Sequence, residues 1–297
     1  MNKPAEQHTA TWVFLLIGLL TVAIYIPGLS GDYMFDDTSN LLNNRALDIK
    51  SLSTDELASA TFSSRSGTLQ RPVSMLSFAL NRYFFGIAPY SHKVINLLIH
   101  LLTGYALFIF SRLLLRSYRQ YRDPQLPLPI ETWLPVVVTG LWLIHPLNLS
   151  SVLYIVQRMT SLSALFSVCG LCLYIIGRRR MLTGRHGLSW ILTGLLLCGG
   201  LATLSKENGV LLPLFMLVIE TTLFGQTYSA PFGLTPIGFL NMTRPGADLM
   251  WARLAARKSI PHAISTACST SLEEVAEAAD GMAWILLYAS RDLELRA

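Results

Sequence analysis

The chain has 297 residues, 52% hydrophobic and only 14% charged, with a formal net charge of +5 and a mean hydropathy of +0.45. Soluble domains carry about 25% charged residues, so an ordinary soluble enzyme is a poor fit. The arginines cluster at 112–122 and 178–185, a pattern of membrane topology rather than of nucleic-acid binding.

Lys3 precedes the apolar stretch Trp12–Leu29. That stretch is long for a signal peptide and no A-x-A cleavage pattern follows, so it reads as an uncleaved first span. A bilayer core of about 30 Å needs about 20 mostly apolar helical residues. Six segments meet this need: 11–29, 94–114, 130–148, 159–177, 188–204 and 208–225. The third is ended by His145-Pro146. Segment 72–87 is apolar but interrupted by Arg71, Asn81 and Arg82, which suits a helix lying at the interface.

The basic loops orient the set. Arg116, Arg119 and Arg122 follow span two, and Arg178, Arg179, Arg180 and Arg185 follow span four. Both loops are expected in the cytoplasm, with the N-terminus and the C-terminal tail, as in a bacterial inner-membrane protein. Loop 30–93 and the turns 145–158 and 205–208 are then outside. Of the four cysteines, Cys169, Cys172, Cys198 and Cys268, the first two form a CxxC inside an apolar run. A zinc site needs a second pair, so they read as packed or lipid-facing small residues, and no disulfide framework is implied.

Past residue 225 the character changes, and Pro231, Pro236, Pro245 and Pro261 punctuate the chain. Ser271-Leu-Glu-Glu opens an amphipathic helix over 271–279 with a hydroxyl cap, and 282–288 reads as a strand. The fold class is an all-α polytopic membrane domain of about six transmembrane helices over 1–225. A short α/β tail over 226–297 completes it.

The expected topology gathers polar groups on the outer side: Asp36-Asp37, Arg71, His145, Gln157-Arg158 and Lys206-Glu207. Adjacent carboxylates can hold a divalent cation, or one can act as a general base. Cations at the same level can hold a phosphate departing from a lipid carrier. Together they suit sugar transfer from a lipid phosphate to a hydroxyl. Each residue also has a plainer reading. The aspartates could be solvated, Lys206-Glu207 could be a local ion pair, His145 could cap a helix, and Arg158 could snorkel to headgroups.

The strings Phe35-Asp36-Asp37-Thr38, Asn43-Asn44, Arg71-Pro72-Val73, Pro89-Tyr-Ser-His92, Asn96-Leu-Leu-Ile-His100, His145-Pro146-Leu147, Gln157-Arg158 and Leu204-Ser205-Lys206-Glu207-Asn208-Gly209 together resemble a known family. It is the transmembrane-and-tetratricopeptide O-mannosyltransferases and their bacterial relatives, of the C-type glycosyltransferase fold, and the likeness covers about 11–220. The resemblance implies a polyprenyl-phosphate sugar donor, a protein acceptor and a catalytic aspartate among Asp36 and Asp37. Arg71, His145, Arg158, Lys206 and Glu207 would serve the lipid phosphate. That family has more spans and a tetratricopeptide tail, so the transferase is expected to be truncated.

The tail carries a second resemblance. Thr221-Thr-Leu-Phe-Gly225, Ser229-Ala-Pro-Phe-Gly-Leu-Thr-Pro236-Ile237-Gly238, Pro245-Gly246-Ala247, Ile264-Ser265-Thr266, Ser271-Leu-Glu-Glu-Val275, Leu287-Tyr288 and Arg291-Asp292 resemble the start of an FMN-dependent 2-hydroxy acid dehydrogenase, a TIM barrel. The resemblance implies that Pro236, Ile237, Gly238 and Ser265 lie against the flavin and Tyr288 near the substrate. Leu286 stands where a flavin-contacting glutamine is expected. The family's lysine, catalytic histidine and substrate arginine would lie beyond Ala297. A barrel closes with eight strands, so this incomplete one is expected to bind no FMN tightly. The join falls near Glu220–Gly225, as in a gene fusion or an assembly or frame artefact. Three readings follow: a membrane glycosyltransferase, a 2-hydroxy acid oxidoreductase by its tail, or a non-catalytic membrane protein.

Overall fold

The computed structural model describes residues 3–64, 67–225, 234–235, 237–265 and 267–286. The chain divides into two compact units, Met1–Leu223 and Phe224–Ala297.

The first unit is helical. α1 (Lys3–Leu29) ends where Ser30-Gly31-Asp32 breaks its apolar run. A loop with two short helical turns follows, then α2 (Thr54–Thr61), capped by the Ser53 hydroxyl, and α3 (Pro72–Phe85), with proline at its first position. Next come α4 (Pro89–Tyr121), α5 (Leu128–Leu143), α6 (Leu149–Leu153) and α7 (Arg158–Leu182). α8 (Leu188–Leu192) and α9 (Gly199–Ser205) are joined by a π-helical stretch, and α10 (Leu212–Ile219) follows a 3-10 turn.

Among the described residues, five helical stretches are long and apolar enough to cross a membrane: His8–Leu29, Pro89–Tyr121, Ile155–Leu182, Leu188–Ser205 and Glu207–Phe224. The expected third span is broken. α5 and the segment Pro146–Leu153 meet at 51°, so the count is six where this bent pair is one span. His145-Pro146 causes the break, because proline supplies no N–H to continue the helix.

Side-chain contacts fix the helix directions. On α4, Asn96 bonds the Val152 carbonyl while Arg116 bonds Glu131 of α5, so the chain runs back along α4 through α5 and α6. α7 then runs parallel to α4, with Arg158 on Asn96, Cys172 on Ala106 and Arg179 on Gln120. α7 and the π-helical stretch approach at Gly170 and Gly194. A Cβ on either would lie within 3.0 Å of the other's carbonyl oxygen, so small residues are needed here. Two ends result: the Asp36 end, and an end where both arginine clusters meet.

α3, expected at the interface, buries Met75, Phe78 and Ala79 against protein. They pack with Leu41, Leu47, Ile49, Ile155 and Met159 in a core beneath the first loop. Its last turn is different: Phe84 and Phe85 are exposed.

The second unit alternates helix and strand. α11 (Leu240–Thr243) and α12 (Ala247–Lys258) precede β1 (His262–Ser265), and α13 (Leu272–Ala278) leads to β2 (Ala283–Leu286). β1 and β2 are parallel with His262 opposite Ala283, and Leu234 bridges to His262 on the other side. Ala252, Ile264, Val275 and Ala279 form the core. The Ser271 hydroxyl caps α13 by accepting from the Glu274 N–H at 3.3 Å, and β2 occupies the expected strand.

Candidate functional site

The site is built on Tyr154–Thr160, the turn that enters α7. Asp37, only 1% exposed, accepts from the backbone N–H groups of Val156 (2.7 Å), Met34 (3.1 Å) and Ile155 (3.4 Å). Burial raises its pKa above the usual carboxylate value, against the lowering pull of these N–H groups and of Lys93. A carboxylate so engaged clamps the first loop to α7. Its neighbour Asp36 is exposed, because Phe35 takes a left-handed φ of 45° and turns the chain. The Asp36 N–H donates to the Tyr154 hydroxyl at 3.1 Å, and its carbonyl accepts from Asn40 and Ser39.

One helical turn further along α7 stands a second group. The Arg71 Nε donates to both Glu207 oxygens at 3.2 Å, and its Nη1 lies 3.3 Å from the Met159 sulfur. Gln70 and Arg71 both have positive φ, 57° and 47°, a conformation that costs about 1–3 kcal/mol per non-glycine residue and gathers at functional sites. Gly67 is needed beside them: a Cβ there would lie 1.8 Å from Glu207 Oε1. Lys206 is half-buried and donates to the Thr160 hydroxyl at 2.7 Å, which donates to Gln157. Burial, then nearby Arg71, lowers its pKa.

The structure thus brings Asp36, Asp37, Arg71, Lys206 and Glu207 to one end. Lys206 and Glu207 do not form the local pair considered from the sequence, since Glu207 turns to Arg71 and Lys206 to Thr160. Arg158 has a different place from the one expected. It is fully buried, and it donates to Asn96 (2.7 Å), Asn81 (2.7 Å), the His92 carbonyl (2.9 Å) and the Ser77 carbonyl (3.2 Å), with its guanidinium 4.5 Å over Phe78. Its donors are consumed inside the protein, so it neither snorkels nor faces a lipid phosphate. His145 is also apart. It sits at the α5–α6 break, exposed, with Nδ1 accepting from the Leu147 N–H at 3.2 Å.

Sequence reasoning missed Tyr154, Thr160 and Lys93. Lys93 is buried and donates to the carbonyls of Gly31 (2.8 Å), Asp32 (3.4 Å) and Gly28 (3.5 Å), the open end of α1. Beside Asp36 lies a polar cavity of about 430 Å³ lined by Ser39, Asn40, Asn43, Asn44, Arg45 and Ser63. The Asn43-Asn44 string lines it. Asn44 also caps a turn through its side chain and donates to the Ser63 hydroxyl.

Among the described residues no three His, Cys, Asp or Glu side chains gather as a metal site. The cation considered at Asp36 and Asp37 would find only the exposed Asp36 carboxylate, since Asp37 is committed to backbone N–H groups. Cys169 and Cys172 are free thiols, Cys172 buried.

In the second unit, Ser265 is buried and its hydroxyl accepts from the Ala267 N–H at 3.2 Å. Ile237 is exposed, and a Cβ on Gly238 would lie 3.3 Å from that of Ala267. The cavity lined by Ile237, His262 and Ser265 is about 10 Å³, the space of one water. Pro236 and Tyr288 lie outside the described residues.

Comparison with known proteins gives two likenesses. A family model described as FMN-dependent dehydrogenase matches residues 212–297. The protein O-mannosyl-transferase TMTC4 of Homo sapiens is 27% identical over 220 residues, 70% of this chain and 29% of that protein. Its Mus musculus counterpart is 28% identical over 212 residues, 67% of this chain and 28% of that protein. An L-lactate dehydrogenase of Pseudomonas syringae is 37% identical over 92 residues, 31% of this chain and 24% of that enzyme. The chain spans under a third of the length of each of these relatives. No solved structure matches it. The chain is an integral membrane protein, similar to O-mannosyl-transferases over most of its length and to FMN-dependent dehydrogenases over its last part. The dehydrogenase match begins at residue 212, inside the last apolar helical stretch.

Proposed function

We propose that the membrane unit is a glycosyltransferase that moves a sugar from a polyprenyl phosphate to a protein hydroxyl, at the outer face of the membrane. The observation that carries this reading is the short Tyr154–Thr160 segment, which holds an exposed carboxylate at one end and two partly buried cations at the other. Asp36 is the general base and Asp37 positions it. The acceptor oxygen attacks the anomeric carbon, the carbon–oxygen bond to phosphate breaks, and the hydroxyl proton passes to Asp36. Arg71 and Lys206 receive the departing phosphate. The arginine end faces the cytoplasm on this reading.

The test uses the full chain in membranes with a polyprenyl-phosphate sugar and acceptor proteins. Asp36→Asn is expected to lower transfer by about 10²-fold or more with the thermal melt unchanged. Wild type that transfers nothing would leave a non-catalytic membrane protein, and Asp36→Asn that transfers as wild type does would remove Asp36 as the general base.

The family match at 212–297 favours a second reading, flavin-dependent oxidation of a 2-hydroxy acid. Leu286 in place of the expected glutamine argues against it. Titration of the full chain with FMN is expected to show no stoichiometric shift in flavin absorbance, and such a shift would restore the oxidoreductase.

A further inference from the structure

At the end opposite Asp36, three helices meet around a cavity of about 640 Å³ lined by Arg116, Arg119, Gln120, Pro124, Glu131 and Arg179. Glu131 is buried and accepts from Arg116 at 3.2 Å, with Arg119 2.8 Å away. Arg179 donates to the neutral Gln120 amide at 3.2 Å. Three guanidiniums against one carboxylate leave a formal +2 on the lining.

Height and surroundings say what anion fits. Arg116 and Arg119 lie in the last turns of α4, and Arg179 near the end of α7. These are the ends of apolar stretches, where headgroups lie. Trp190, next to Arg180 at 5.9 Å, marks the same level. An exposed apolar stripe, Ile130, Leu134, Val137, Val138 and Leu141, begins one residue from Glu131 and runs down one face of α5.

We propose that this cavity binds one anionic phospholipid, its phosphodiester on Arg179 and the open faces of Arg116 and Arg119, its acyl chains along the α5 stripe. Guanidinium forks match phosphate oxygens, and basic pockets between membrane helices suit such headgroups. Glu131 holds two of the arginines in place and leaves Arg179 uncompensated. The site needs only that the helices span a bilayer and is independent of sugar transfer.

The test counts lipids retained by the detergent-purified full chain in native mass spectrometry. Phosphatidylglycerol should be retained over phosphatidylcholine. Arg179→Gln should weaken retention about fivefold, the effect of one surface cation, and Arg179→Lys should restore most of it. The exposed Arg185→Gln should change nothing, and excess glycerol 1-phosphate should not displace the lipid. Three results would overturn the proposal: equal retention of the two lipids, equal effects of Arg179→Gln and Arg185→Gln, or displacement by glycerol phosphate. Because Arg179 pairs with a neutral amide, Arg179→Gln should melt as wild type does. If it melts lower, Arg179→Lys decides, and failure to regain the lipid counts against the site.

Discussion

The two ends of the membrane unit handle buried charge differently. At the Asp36 end, Arg158 rests on asparagine amides and carbonyls, Lys93 on three carbonyls, and Asp37 on three N–H groups, while buried Arg82 keeps an ionic partner in exposed Asp48. At the arginine end, buried Glu131 meets two guanidiniums that are themselves about a third exposed. A charge held by neutral dipoles has no redundancy, since each partner removed strands another buried group. A charge shared between two exposed partners can lose one. The first end is therefore rigid, as a reaction site needs, and the second tolerant.

The largest effect should come from Arg158→Met. It strands the amide oxygens of Asn81 and Asn96, both buried, at about 1–3 kcal/mol each. Thermal and denaturant unfolding of the purified chain should show the loss, and a melt within a degree of wild type would break the contrast between the ends.

Next is Asp37→Asn, read through pH. Burial raises the Asp37 pKa above the ordinary aspartate value of 3.8, so the folded state holds the proton more tightly than the unfolded one. Its contribution is fully present below 3.8 and is lost as pH rises through the raised folded value. The stability difference between wild type and Asp37→Asn should therefore shift against wild type across that window and be flat above it. A difference independent of pH would remove Asp37 as a buried, ionising clamp.

The smallest should be Arg119→Gln. Arg116 stays on Glu131, the pair is partly exposed, and such pairs are worth about 0–1 kcal/mol. A larger loss would mean that the arginine end is as rigid as the other.

What the sequence made legible follows the range of the forces involved. Five of the six apolar stretches and the Ser271 cap are local, and they stand where the sequence reads them. The break at His145-Pro146 is also visible, because proline acts on its own helix, although the sequence reads it as the end of an apolar run. Arg158 was not legible. A lone arginine at a span boundary looks like a headgroup anchor until Asn81 and Asn96 arrive from two other helices. Nor was the partition of Asp36 and Asp37, which depends on the N–H groups of Ile155 and Val156, more than a hundred residues away. Tyr154 and Thr160 were silent for the same reason.

Lys93 has a consequence for the order of events during synthesis. The carbonyl of Gly28 in the last turn of α1, and those of Gly31 and Asp32 just past it, accept from an ammonium that is made some sixty residues later, at the start of α4. Until that segment leaves the ribosome, the exit from the first helix lacks its cation, although Arg82 of α3 is already there to hold Leu41 and Asp48 of the loop. Closure of that loop thus begins with the second long helix and is completed only when Tyr154, Ile155 and Val156 arrive to hold its aspartates.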